Sequence, residues 1–65
     1  MQDHEQRVVE EERALSDKID KLDTFMEGGT FAALDLTTRN LLDEQRGAMI
    51  CYRNTLLRRI ALFEQ

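Results

Sequence analysis

The chain has 65 residues, 34% of them charged and 42% hydrophobic, with three Gly, no Pro and a formal net charge of −4; this is room for one small helix-friendly domain and excludes a two-domain enzyme. Ordering it costs about 100 kcal/mol at roughly 1.5 kcal/mol per residue, and a core this small rarely leaves more than about 3–5 kcal/mol to spare. Cys51 is the single cysteine and His4 the single histidine, so an internal disulfide and a Cys/His zinc site are both ruled out, and association with other chains is the remaining support.

The opening Met1-Gln2-Asp3-His4-Glu5 is acidic where a signal peptide is basic, and no apolar run approaches the roughly 18–20 residues that span a bilayer. A cytosolic protein with no membrane partner is expected. From about Gln2 to Glu27 nothing breaks a helix, and Val8, Leu15, Ile19, Leu22, Phe25 and Met26 recur at spacings of three, four and seven, the mark of one long amphipathic helix. Asp17 and Lys21 form an i,i+4 pair in the favourable order. Gly28 reads as a C-terminal stop in the left-handed conformation that only glycine enters cheaply, with Gly28-Gly29 as the corner.

Thr30-Phe31-Ala32-Ala33-Leu34 is too short for an independent element but apolar enough to plug the open end of a hairpin as a single helical turn. Asp35 or Thr37 then serves as N-cap of a second helix over about residues 36–63, with Leu42, Met49, Tyr52, Leu56, Ile60 and Phe63 along its apolar face. Gly47 interrupts it at about 1 kcal/mol relative to Ala, either because another backbone approaches closely or as a tolerated weak spot. Two such helices joined by about eight residues fold antiparallel, so the expected fold class is all-α: a two-helix hairpin with a short helical turn in the connection, residues 1–65 forming one domain. Leu41, Ala48, Leu57 and Ala61 fall off the main seam of the second helix, and a strip of this kind usually buries itself in a copy of the same protein.

Residues 1–34 hold nine acids and four bases, residues 35–65 four acids and five bases. A net-acidic chain argues against non-specific DNA or RNA binding but leaves one small anion open. Late in the chain Arg46, Arg53, Arg58 and Arg59 are set against Glu64 alone. No phosphate-cradling glycine loop occurs, no nucleophile has a base beside it, and Glu10-Glu11-Glu12 points in different directions on a helix, as a solvated face does. These residues call for no enzyme, no cofactor and no metal. Cys51, inside an apolar stretch, reads as a small buried hydrophobe without chemistry. Gln45, Tyr52 and Arg59 repeat every seven residues beside the apolar stripe, which suits the rim of an oligomer interface or the wall of a polar pocket. Arg7, Lys18 and Lys21 are either solvated partners of nearby acids or cations that meet an anion where helices of two chains lie side by side. On the residues alone, the default reading is a small helical adaptor that docks on a host or phage protein without a small-molecule ligand.

Read together, His4-Glu5-Gln6-Arg7-Val8-Val9-Glu10-Glu11, Leu15-Ser16-Asp17-Lys18-Ile19-Asp20-Lys21-Leu22 with Phe25-Met26, Thr30-Phe31 and Leu34, then Leu41-Leu42-Asp43-Glu44-Gln45, Ala48-Met49, Tyr52 and Leu56-Leu57-Arg58-Arg59-Ile60-Ala61-Leu62-Phe63 resemble a family of small phage proteins. This family is the anti-CBASS cyclic-oligonucleotide sponges. The resemblance covers nearly the whole chain and implies a homohexamer of helical hairpins in the cytoplasm of an infected bacterium. Such a hexamer binds cyclic dinucleotides between protomers and keeps the messenger from its effector without cutting it. Some members also hold cyclic trinucleotides at separate sites near a threefold axis. Carried over, the family's phosphate-contacting lysine falls on Lys18 and its trinucleotide-site arginine on Arg59; the expected cyclic-nucleotide site also takes in Arg7 and Lys21, the other cations already noted on the first helix. Its purine-stacking aromatic falls near Asp3 or His4, where this chain has no Phe, Tyr or Trp and His4 is the one ring that can stack. A ligand with two phosphates in near-twofold arrangement matches a protein dyad, at which each phosphate meets one copy of the same cation.

Overall fold

In a computed structural model, which describes residues 2–63, the chain forms α1 (Asp3–Met26), α2 (Gly29–Ala32) and α3 (Leu36–Ala61). No strand occurs among the described residues. The two long helices pack against each other, and Asp23 of α1 meets Arg46 of α3 across the gap, so the chain is the antiparallel hairpin with a short connecting helix that the periodicity predicts. Glu64, the acid expected opposite the late arginines, lies outside the described residues.

Helix α1 opens where the Gln2 N–H donates to the Glu5 carboxylate at 3.0 Å, and Asp3 and Glu5 stand at the positive end of the helix dipole. It ends differently from the sequence expectation. Glu27 is still right-handed and Gly28 has φ −91° and ψ 168°; among the described residues none has a positive φ. The stop is a turn into extended backbone, in which the Gly28 N–H donates to the Phe25 carbonyl oxygen at 3.1 Å. Glycine is therefore not demanded by conformation there.

The connection closes the end at which the chain reverses, not the open end. Phe31 of α2 stands edge-on to Phe25, with ring centroids 6.2 Å apart at 76°, a favourable T-shaped pair. Phe25 is consequently drawn over the turn and stays 40% exposed, outside the seam expected for it. Asp35 occupies the N-cap of α3 by its extended backbone, without a side-chain cap bond, and the Arg39 N–H donates to its carbonyl oxygen at 3.0 Å.

The core is Val8, Leu15, Ile19 and Leu56, with Met49, Ile50, Ile60 and Phe63 packed against it. Residues 5, 8, 12, 15, 19, 22 and 26 of α1 and 39, 42, 46, 49, 53, 56, 60 and 63 of α3 and its end are all buried or half-buried. Both rows alternate steps of three and four, the spacing that keeps one face of a helix turned to a partner. In α3 this phase sets Arg39, Arg46 and Arg53 inward and turns Tyr52 outward, 47% exposed, which corrects the placing of Tyr52 on the seam. The body is a rod of 47 × 15 × 14 Å. No described helix is long and apolar enough to cross a membrane.

Candidate functional site

Helix geometry lays out three of the four cations of α1 in one row, Arg13 standing off it. His4, Arg7, Glu11, Ala14, Lys18, Lys21 and Phe25 again alternate steps of three and four, and every one of them is exposed. They form a single outward line beside the hairpin seam. The four α1 positions expected at the cyclic-nucleotide site, His4, Arg7, Lys18 and Lys21, therefore share one face. They do not share one spot: at 1.5 Å rise per residue Lys21 lies about 5 Å along the axis from Lys18, Arg7 about 16 Å and His4 about 21 Å.

Their electrostatic states differ. The Lys21 ammonium meets the Asp17 carboxylate at 3.0 Å, both side chains being mostly in water, so the pair is weak and easily exchanged for another anion. Among the described residues Lys18 and Arg7 meet no carboxylate within ion-pair distance. Glu11 divides the line, and Ala14 beside Lys18 leaves a low point at which a second body can approach.

Arg59 lies elsewhere. It is exposed in the last turn of α3 beside Arg58, where a cation also complements the negative end of the helix dipole. The antiparallel register set by Asp23 against Arg46 puts Arg59 about 20 Å further along the rod, level with the Glu10 turn and away from Lys18. With Gln45 and Tyr52 it makes the heptad row expected beside the seam, and all three are exposed.

Arg39, Arg46 and Arg53 carry a role that hydropathy reasoning missed. Asp23 hydrogen-bonds the Arg46 guanidinium, and this bond and the carboxylate charge push it above its ordinary value. Arg39 and Arg53 bury Nε without a hydrogen-bond partner among the described residues, while Arg53 Nη2 donates to the Asn54 amide oxygen at 3.1 Å. The signal that finds them is strict three-four spacing through 39, 42, 46, 49, 53, 56, 60 and 63, followed regardless of charge. Cys51 is a free thiol on the exposed side of α3, not the buried hydrophobe expected, because it lies on the face opposite this row.

The described residues of one chain enclose no pocket, and among them no group of three or more His, Cys, Asp or Glu side chains could hold a metal ion. The Sequestin family model matches residues 2–62, through both long helices and the connection between them. The chain belongs to the Sequestin family. The family name suggests a sequestering role. No curated protein and no solved structure matches the chain.

Proposed function

We propose that the protein is a phage-encoded sponge that binds cyclic oligonucleotide second messengers in the cytoplasm of an infected bacterium. It withholds them from the CBASS effectors they would activate and leaves them uncleaved. The observation that carries this reading is the outward line of α1, on which Lys18, Arg7, Lys21 and His4 share one exposed face of a family member whose name denotes sequestration. In the proposed site two copies set these lines together across a dyad within a homohexamer. Lys18 from each copy contacts one phosphate of a cyclic dinucleotide and Lys21 releases Asp17 to add a second cation, while Arg7 and His4 continue the same face about 16 and 21 Å along the axis. Arg59, some distance along the rod on the other helix, serves a separate cyclic-trinucleotide site.

A net-acidic chain can do this because the local field decides: each charge-assisted contact contributes about 1.5–3 kcal/mol, and a dyad supplies every contact twice. Being exposed before assembly, such contacts weaken as salt rises. Calorimetry with a panel of 3′,3′-cyclic dinucleotides tests the reading. Saturable binding at micromolar ligand or below is expected, with the ligand recovered intact by mass spectrometry after the protein is heat-denatured. Absence of binding at micromolar ligand overturns the sponge, and recovery of a linear product overturns sequestration without cleavage.

The alternative, an adaptor hairpin, has one observation in its favour: Leu41, Leu57 and Leu62 of α3 and its end are 60%, 44% and 62% exposed, an apolar surface that a partner protein can cover.

A further inference from the structure

Helix α3 carries a second three-four seam on the side opposite α1. It runs Leu41, Glu44, Ala48, Cys51, Thr55, Arg58, Leu62, every residue of it exposed, with the two leucines at its ends among the most exposed large apolar residues described. This row reads nearly the same from either end once charge is inverted. Leucine stands at both ends, an acid three residues in from one is matched by a base four in from the other, Ala48 is matched by Thr55, and Cys51 is central.

We propose that this seam is a twofold interface, in which α3 of one copy packs antiparallel on α3 of a second copy with the symmetry axis at Cys51. In that arrangement Leu41 of each copy covers Leu62 of the other, Glu44 meets Arg58, Ala48 faces Thr55, and Cys51 faces its own counterpart. Self-complementarity is what a twofold contact requires, since one patch must serve as both surfaces. Charge complementarity selects the occupant: Glu44 and Arg58 satisfy each other only when the two helices run in opposite directions, and both do so at once. The small central residues let the helix axes approach to the 8–10 Å of ordinary helix packing. The seam extends about 30 Å along the helix at 1.5 Å per residue, and it covers the ends of a chain whose own core is only Val8, Leu15, Ile19 and Leu56. Gly47 lies beside this seam, where a Cβ would meet nothing within 4 Å in its own chain.

This interface shares with the sponge reading only the premise that copies associate, and it places no ligand. Its test uses the whole chain, whose single cysteine serves as the reporter. A short bis-maleimide added to the native protein should join Cys51 to Cys51 and give a covalent dimer, absent when the protein is diluted below the association range before the reagent is added. Glu44→Arg and Arg58→Glu should each weaken self-association at least about tenfold, measured by sedimentation, because each sets like charges face to face at both ends of the contact. The double variant Glu44→Arg with Arg58→Glu should restore it. A single variant that assembles like the parent, a double variant that stays dissociated, or a parent without the Cys51 adduct overturns the proposal. Cyclic-dinucleotide calorimetry on the same proteins separates the two readings: binding by a Glu44→Arg chain that assembles like the parent leaves the sponge standing without this seam. A cross-linked parent that takes up no ligand leaves the seam standing without the sponge.

Discussion

Helices α1 and α3 are nearly equal in length, 24 and 26 residues, yet among the described residues α1 supplies three of the four that are buried and α3 supplies Leu56. On α1, apolar residues gather on the face turned to α3, and the outward line is mostly charged. On α3 the inward row alternates arginine with Leu42, Met49 and Leu56, while leucines face outward at 41, 57 and 62. A helix with one strong stripe has one partner to satisfy. A helix whose apolar residues are shared between faces is suited to more than one, and the pairing within the hairpin is accordingly thin.

The sharpest way to break this contrast is Leu56→Ala. Truncating the one fully enclosed side chain of α3 should cost about 2–5 kcal/mol, enough to unfold the hairpin in a thermal melt, whereas Leu57→Ala, one residue away and 44% exposed, should leave the melt of a diluted chain nearly unchanged. Lys18→Ala probes the outward side of α1. It should weaken cyclic-dinucleotide binding in calorimetry by about 1.5–3 kcal/mol for each phosphate that the lysine no longer reaches, with sedimentation and melting unaltered; failure to assemble would make Lys18 a scaffold residue instead. Arg53→Met removes a buried Nε that lacks a partner and fits an apolar chain into the same row, so it should raise stability by about 1 kcal/mol in denaturant titration. Gly47→Ala, with open space around the new Cβ, should stabilise α3 by about 0.5–1 kcal/mol, again by denaturant titration. At the small end lies pH: the raised Arg46 guanidinium contributes stability that is present below its ordinary range and disappears only as pH rises above it. Its share of the stability should therefore be flat between about pH 5 and 9 when Arg46→Met is compared with the parent.

Much of the hairpin could be read from the residues, because Val8, Leu15, Ile19 and Leu56 combine apolar character with the right phase and the two cues agree. Where they disagree, hydropathy misleads. Tyr52 and Arg53 are neighbours about 100° apart on a helix; the phenol looks like core, but the phase of Met49, Leu56 and Ile60 turns Arg53 inward. Phe25 has the composition of a seam residue, and its neighbour Phe31, close only after the chain turns, draws it away. Gly28 invites a left-handed stop, but an extended residue ends the helix equally well. The cations of α1 could be enumerated from the sequence, and the common line of Arg7, Lys18 and Lys21, with Arg13 off it, follows from helical arithmetic. The enclosure that the proposed function requires could not be read, because the described residues of one chain form no pocket.

A rod 47 Å long and only 15 by 14 Å across has no depth, since every side chain lies within one layer of the solvent. A guest molecule shielded from water by such rods must be walled by several of them. For the proposed sponge, occupancy should then climb more steeply than in proportion to the amount of polypeptide, with almost no guest retained at low copy number and an abrupt onset at high.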